Sequence, residues 1–245
     1  MPALSAYKSD LDYSYAPGIF PSIECLTHRP DKVRRLLVHS DSRTRPREGL
    51  ERLLGMAADL GVRIEEADRA LARISGKENC YAAAVFEKFQ DTLYPSRPHV
   101  MLHCPGDAGN VGTILRTALG FDMEDIALIR PCADLFDPKT VRASMGSLFS
   151  LRVHIFNSFE EYRRSYTSRA LYPFMLDASV PLENVLRRKL SPESTLIFGN
   201  EGSGLPPAFA KLGTPVRISS NDRIDSLNLA VAAAIGIYEF TRALK

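Results

Sequence analysis

Short apolar runs of strand length alternate with segments of helical periodicity along this chain, and this alternation restricts its fold more than any other feature. From residue 99 the predicted strands are HVMLHC, 125–129, 151–155, 174–176, 195–198 and 215–218, and the predicted helices are 112–119, 138–145, 159–165 and 226–241. Strands joined through helices lie side by side in parallel, with helices on both faces of the sheet. We therefore predict an α/β fold built on a mostly parallel sheet.

The residues before 90 repeat this alternation on a smaller scale. Strands are predicted at 33–39, 62–64 and 80–86, and helices at 48–60 and 68–74. Pro95 and Pro98 suit a linker, and the polar N-terminus has no apolar core of a signal sequence. We predict a flexible leader (1–17), a small α/β domain (18–90), a linker (91–98) and a second domain (99–245).

The composition narrows the class of protein further. No run approaches the roughly 20 apolar residues that a membrane span needs. The four cysteines form no CxxC pair, so we expect neither a metal site nor a redox motif. Free cysteines and the absence of a targeting signal favour a cytoplasmic protein with no membrane partner.

The net charge of +2 does not by itself indicate a nucleic-acid partner, but the basic residues cluster locally. The stretch 29–47 has only two acidic residues, and its arginines are Arg29, Arg34, Arg35, Arg43, Arg45 and Arg47. Such a cluster either binds phosphates or forms an ordinary solvated surface, and charge alone does not distinguish the two.

Three segments contain residues suited to chemistry. The first, DAGNVGTILRTA (107–118), joins a strand to a helix, at the strand end where open α/β sheets bind ligands. Asn110 is also a common helix cap, and Arg116 is also compatible with a surface charge.

The second segment, LIFGNEGSGLP (196–206), leads from an apolar strand into three glycines and one carboxylate, Glu201. The third, ISSNDRIDSLNLAVAAAI (218–235), places Ser226 and Asn228 before an alanine-rich helix. Either residue suits the helix cap. The glycine spacing is neither GxGxxG nor that of a P-loop, which disfavours a dinucleotide site and excludes a P-loop.

In order and spacing, these segments resemble the SpoU (TrmH-like) family of SPOUT RNA methyltransferases. Asn110 begins N-x-G-x-x-x-R-T-A, Gly199 begins G-x-E-G-x-G-L, and Ser226 begins S-L-N-x-x-x-A-A-A-I. The stretch DPKTVRASMGS (137–147) is also typical, and the resemblance covers about residues 100–244. Many members have Asp-Pro where this chain has Asp107-Ala108, which changes loop stiffness and no polar group.

The resemblance implies a SPOUT-type α/β domain with a deep trefoil knot, a small N-terminal L30e-like domain that binds the substrate, and a homodimer. It implies S-adenosylmethionine as cofactor, held by Gly199, Asn200, Gly202, Ile218 and Leu227. The catalytic cluster that it implies is Asn110, Arg116, Glu201, Ser226 and Asn228.

The implied reaction is methylation of a ribose 2'-hydroxyl. We expect ribosomal RNA as the substrate, with transfer RNA as the next choice. Because an arginine keeps its proton, we expect Arg116 to stabilise the developing alkoxide, with Glu201 and Asn110 fixing its guanidinium. We expect the N-terminal arginines to contact RNA phosphates. Two alternatives stay open: an RNA-binding protein with a relic cofactor pocket, and a SPOUT enzyme that methylates a base.

Overall fold

The computed structural model describes residues 6–43, 48–75, 80–177, 180–221 and 223–244. These residues form two compact units. The first contains the described residues up to Phe89 together with Asp134–Ser150, and the second contains Gln90–Ala133 and the described residues from Leu151 onward.

Strands and helices alternate through most of the described chain. In order they are β1 (Tyr13–Pro17), α1 (Ile19–His28), β2 (Val33–Val38), α2 (Leu50–Asp59), β3 (Ile64–Glu66), α3 (Asp68–Ser75), β4 (Ala82–Glu87), β5 (His99–His103), α4 (Ala108–Gly120), β6 (Asp125–Ile129), α5 (Pro138–Ala143), β7 (Arg152–Phe156), α6 (Phe159–Ser165), β8 (Ala170–Pro173), β9 (Val180–Pro181), α7 (Leu182–Leu186), β10 (Ser194–Phe198), β11 (Val216–Arg217) and α8 (Leu229–Leu244). Short 3-10 helices lie at Pro30–Lys32, Ser40–Arg43, Ser147–Phe149 and Pro207–Lys211.

The first unit is built on a four-stranded sheet in the order β1-β4-β2-β3. Strands β1 and β2 run antiparallel to β4, and β3 runs parallel to β2. The prediction of a flexible leader over 1–17 is wrong for residues 13–17. Strand β1 pairs with β4 along its whole length, and the fully buried Tyr15 anchors it in the core.

Residues 134–150, which the sequence analysis places in the second domain, belong to the first unit. The ring of Phe149 packs edge-on against Phe86, with centroids 4.9 Å apart. The ring of Phe136 lies 5.3 Å from that of Phe89. The predicted single domain over 99–245 is therefore wrong for this segment, because burial of these aromatic rings outweighs position along the chain.

The second unit contains a five-stranded, fully parallel sheet in the order β7-β6-β5-β10-β8. The predicted α/β class with a mostly parallel sheet is confirmed. Strands β6 and β10, which flank the central strand β5, are buried at every residue. Helices α4 and α8 pack against each other. Gly236 of α8 faces Phe174 and Phe198, whose rings leave no room for a Cβ.

Several elements of the second unit differ from the predictions. Strand β8 spans 170–173. Phe174 still donates its N–H to Ile197 of β10 at 2.8 Å, but from Met175 the chain turns to β11, where the N–H of Met175 donates to the Val216 carbonyl at 2.9 Å. Helix α7 was not predicted. Helix α8 begins at Leu229, three residues later than expected, because Asn228 caps it.

A chain of hydrogen bonds lies at the amino-terminal edge of this sheet. The carbonyl of Tyr94 only accepts, so His99 Nε2–H donates to it at 2.9 Å and Nδ1 accepts from the Tyr162 hydroxyl at 2.8 Å. Thr195 then donates to the Tyr162 oxygen at 2.7 Å. Burial of His99 lowers its pKa to about 4, so the imidazole is neutral near pH 7.

Among the helices described, none combines the length and the apolar character that crossing a bilayer requires.

Candidate active site

The three sequence segments meet at the carboxyl edge of the parallel sheet. Strands β5 and β10 are neighbours, with Leu102 opposite Phe198. The loop that follows β5 and the loop that follows β10 therefore leave the sheet side by side. This edge is where parallel α/β sheets bind their ligands.

The loop after β10, residues 199–204, is a closed turn that we call the glycine loop. Asn200 and Gly204 exchange two backbone hydrogen bonds, at 3.1 and 2.9 Å. Gly204 has φ +65°, a conformation that favours glycine. A Cβ on Gly199 would overlap the backbone of Gly204 and Leu205, so only glycine fits there.

The carboxylate of Glu201 holds the loop after β5, residues 104–107, which we call the β5 loop. Its Oε2 accepts the N–H of Gly106 at 2.8 Å, and its Oε1 accepts the N–H of Asp107 and the side-chain N–H of Asn110, both at 3.1 Å. Partial burial acts to raise the pKa of Glu201, but these hydrogen bonds outweigh it and the pKa is lowered. Glu201 therefore remains a carboxylate at neutral pH.

Two asparagines extend this cluster to the third segment. Asn228 Nδ2 donates to Asn110 Oδ1 at 3.1 Å, while its own Oδ1 accepts the N–H of Ala230 at 2.8 Å and so caps α8. Asn110 does not cap α4. The cap is Asp107, which accepts the N–H of Asn110 at 2.7 Å. The Asn110 side chain is therefore free to join Glu201 to Asn228.

A cavity of about 210 Å³ adjoins this cluster. All the predicted cofactor residues line it, namely Gly199, Asn200, Gly202, Ile218 and Leu227. Phe174, Phe198, Val216 and Leu229 add apolar wall. Ser226 and Glu201, from the predicted catalytic set, also line it. The cavity thus joins an apolar wall to a polar, backbone-rich rim, as in many sites for small organic ligands.

Arg116 lies apart from this network. It is on the exposed face of α4, seven residues after the exposed Gly109 and three after the exposed Thr113. Within the described residues it forms no hydrogen bond or ion pair with Glu201. The expectation that Glu201 and Asn110 fix the guanidinium is therefore wrong for this structure, because N–H groups of the β5 loop and of Asn110 already occupy the carboxylate.

The predicted RNA-binding arginines that the structure describes have partners within the first unit. Arg34 pairs with Asp12 at 2.7 Å and Glu87 at 3.2 Å. Arg35, whose side chain is only 12 % exposed, pairs with Glu65. Arg29 donates to the Phe149 carbonyl at 3.0 Å. Arg45 and Arg47 lie outside the described residues, and only the backbone of Arg43 is described.

No histidine lines the described part of the cavity. The ring of His103 packs edge-on against Phe209, 4.9 Å away, and burial lowers its pKa. In the same part of the chain, no group of three or more His, Cys, Asp or Glu side chains is arranged to hold a metal ion.

The N–H groups of Gly106 and Asp107, and the side chain of Asn200 as a donor, are parts of the site that the sequence reasoning missed. The adjacent Pro105-Gly106 pair after a predicted strand was a signal for a turn, but nothing local indicates its partner.

Residues 97–238 match the model of the SpoU rRNA Methylase family. A Synechocystis protein named as an uncharacterized tRNA/rRNA methyltransferase is 34% identical over 56% of this chain and 50% of its own length. The Bacillus subtilis 23S rRNA (guanosine(2553)-2'-O)-methyltransferase RlmP is 30% identical over 64% of this chain and 62% of its own length. The match to this chain therefore spans about half to three-fifths of these relatives.

Among solved structures, the AdoMet-bound rRNA methyltransferase from Sinorhizobium meliloti superposes with a TM-score of 0.80 at 26% identity. The match covers 96% of this chain and 88% of that one. The similarity in structure therefore extends over both compact units, whereas the family model matches from residue 97 onward.

Proposed function

Because the chain belongs to the SpoU rRNA methylase family, we propose that it transfers a methyl group from S-adenosylmethionine to a ribose 2'-hydroxyl of RNA. One observation carries the proposal. Asn110, Glu201 and Asn228 come from three distant segments, form one hydrogen-bonded cluster, and lie beside the cavity that the glycine loop lines.

The cavity fits the proposed cofactor chemically. Ile218, Leu227 and Leu229 offer apolar contact to an adenine ring, and the glycine loop exposes backbone groups for its polar edges and for the ribose. Glu201 adds a negative charge beside the cavity, which suits a sulfonium cation. S-adenosylmethionine, when bound, supplies the methyl group on an electrophilic sulfonium.

The residues of this chain would position the nucleophile and stabilise charge. Glu201 holds the β5 loop, and through it the first turn of α4. We propose that Arg116 acts from the exposed face of α4, where it meets bound RNA, and that its guanidinium stabilises the alkoxide that develops on the ribose oxygen. Asn110 and Asn228 would keep α4 and α8 in register, and Ser226 would contact the cofactor or ribose from the cavity wall.

We propose ribosomal RNA as the substrate ahead of transfer RNA. RlmP, one of several relatives named for a nucleotide target, acts on 23S rRNA, whereas two others are named for cytidine 34 of tRNA. We also propose that the first unit is an L30e-like RNA-binding domain. Its described arginines would then have to exchange their present partners, which are carboxylates for Arg34 and Arg35 and a carbonyl for Arg29, for phosphates. Exposed pairs such as Arg34–Asp12 do so at little cost.

We propose further that the chain forms a homodimer, is knotted in its C-terminal part, and works in the cytoplasm. Val231 and Tyr238 are two turns apart on one face of α8 and are 48% and 43% exposed, as expected for a face that a second copy covers. Strand β10 lies between β5 and β8 in the sheet, which is compatible with the family's knot. Four free cysteines suit a reducing compartment.

The test is transfer of tritium from labelled S-adenosylmethionine to purified ribosomal and transfer RNA, followed by alkaline hydrolysis of the labelled product. A 2'-O-methyl group blocks cleavage at its own linkage, so label in an alkali-resistant dinucleotide supports the proposal. Label in alkali-released mononucleotides would identify a base methyltransferase. RNA binding without transfer would identify a relic pocket.

A further inference from the structure

The side chain of Asn200 joins the glycine loop to the loop after β5, and its orientation is determined by its partners. Its Oδ1 accepts the N–H of Gly202 at 2.9 Å and of Ser203 at 3.1 Å. Its Nδ2 donates to the carbonyl of Cys104 at 2.9 Å. Since backbone N–H groups only donate and a carbonyl only accepts, the amide cannot be turned the other way.

Asn200 and Glu201 therefore hold the same short stretch of chain from two sides. Asn200 donates to the carbonyl of Cys104, and Glu201 accepts the N–H groups of Gly106 and Asp107. Cys104 has φ +56°, which is uncommon for a residue with a Cβ. Backbone hydrogen bonds from Cys104 to Ile129 and from Ala133 to Pro105 hold one side of this loop. Asn200 and Glu201 hold the side that faces the glycine loop, and they fix its position relative to that loop.

We propose that Asn200 is a positioning residue that couples the cofactor loop to the β5 loop, and so to Asn110 and α4. The inference rests on the proposed function, because it assigns the glycine loop to the cofactor. Asn200 acts through Cys104 and Glu201 and need not touch the reacting atoms. Its Oδ1 shapes the glycine loop itself, and its Nδ2 makes the connection between loops.

Because the oxygen and the nitrogen of the Asn200 amide have different partners, Asn200→Asp tests the connection between the loops selectively. An aspartate keeps one oxygen for the N–H groups of Gly202 and Ser203, so the glycine loop stays closed. Its other oxygen faces the carbonyl of Cys104 and the Glu201 carboxylate, which lies 3.4 Å from Nδ2. Repulsion of the aspartate by the Glu201 carboxylate and by the Cys104 carbonyl then replaces a hydrogen bond, and it separates the two loops.

At pH 8, we expect Asn200→Asp to lower kcat for methyl transfer roughly tenfold or more, the effect of losing one such hydrogen bond. We expect the dissociation constant for S-adenosylmethionine, measured by calorimetry, to change by less than about threefold, since the Oδ1 bonds that shape the loop remain. Asn200→Ala removes both functions and should weaken cofactor binding as well. Asn157→Asp, an equal change of charge on the exposed residue after β7, is the matched control.

The pH dependence of kcat distinguishes loss of the coupling between the two loops from a general loss of structure in the variant. Protonation of the carboxylate introduced by Asn200→Asp restores an O–H that donates to the carbonyl of Cys104, and the nearby Glu201 carboxylate favours that proton. The ratio of kcat for Asn200→Asp to kcat for the unaltered chain should therefore rise as pH falls from 8 to 5. The ratio for Asn157→Asp should stay flat. A flat ratio for Asn200→Asp, a kcat equal to that of the unaltered chain, or a parallel loss of cofactor affinity would each overturn the proposal.

Failure of the proposed function gives a different result. If the unaltered chain methylates no RNA fraction, the function is wrong, and the coupling is then read from thermal unfolding. The midpoint difference between Asn200→Asp and the unaltered chain should shrink as pH falls from 8 to 5. A difference that does not change with pH would reject the coupling independently of activity.

Discussion

Asn110 donates its side-chain N–H to the carboxylate of Glu201 at 3.1 Å across 91 positions of sequence. The same asparagine accepts a hydrogen bond from Asn228 at 3.1 Å. Each of the three sequence segments therefore contributes one polar side chain to a single network. The carboxylate acts in this network as an acceptor that organises loops, since Arg116 forms no bond to it within the described residues.

Replacement of Glu201 by glutamine should lower kcat by at least about tenfold, since the amide offers one acceptor oxygen in place of two and turns donor hydrogens toward the N–H groups of Gly106 or Asp107. Steady-state methyl transfer at saturating cofactor measures this. Glu193→Gln, at an exposed position just before β10, is the control for loss of one carboxylate in the same unit. Equal kcat for Glu201→Gln and the control would contradict the organising role.

Replacement of Arg116 by alanine should abolish methyl transfer and leave the affinity for S-adenosylmethionine nearly unchanged, because the side chain does not line the cavity. Arg116→Lys should also fail if the planar fork is needed to hold ribose and phosphate together. Arg163→Ala, at an exposed position of α6, is the control. Activity retained in Arg116→Ala would remove this residue from the mechanism.

Gly199→Ala should disrupt the glycine loop, because the added Cβ would overlap the backbone of Gly204 and Leu205. We expect cofactor binding to weaken at least tenfold, since the overlap involves backbone and not a movable side chain. Gly55→Ala, inside α2 with no atom within 4 Å of the new Cβ, should instead raise stability by up to about 1 kcal/mol. Calorimetry and thermal unfolding of both variants test the pair, and normal cofactor binding by Gly199→Ala would contradict the loop geometry.

His99 should make stability depend on pH below 6.5. Burial holds its folded-state pKa at about 4, below the ordinary value of 6.5, so between these values the unfolded chain binds a proton that the folded chain does not. The free energy of unfolding should fall as pH decreases through this window, by up to about 1.4 kcal/mol per pH unit from this group. His99→Gln should be less stable at pH 8 but show a shallower decline. An identical slope in chemical denaturation from pH 6.5 to 4 would exclude His99 as the source.

Removal of residues 1–89 should not leave a second domain that stays monodisperse in solution. The remaining chain would still contain residues 134–150, whose Phe136 and Phe149 lose the aromatic partners Phe86 and Phe89. Exposed aromatic surface promotes association, so we expect aggregates in size-exclusion chromatography. Adding Phe136→Ser and Phe149→Ser to the truncated chain should restore a discrete species. A discrete species from the truncation alone would argue against the observed division into units.

The sequence by itself determined the class of fold and the identity of the polar residues in the site. Periodicity of apolar residues is a local property, so the alternation of strands and helices predicted the parallel sheet and most element positions. The order of the three segments located Asn110, Glu201 and Asn228. The first turn of α4 was assigned to a loop, because Gly109 and Asn110 are typical of turns and concealed a helix that Asp107 caps.

Only the tertiary structure decided what these residues contact. Bonds such as Asn200 to Cys104 and Glu201 to Gly106 join positions 96 and 95 residues apart, and neither partner has a local pattern that reveals the other. The same holds for residues 134–150, which join the first unit because aromatic rings from distant segments bury one another there. Packing and hydrogen bonding depend on which residues are neighbours in three dimensions. In the structure, the Glu201 carboxylate therefore contacts the backbone of the β5 loop and not the arginine that the sequence suggested.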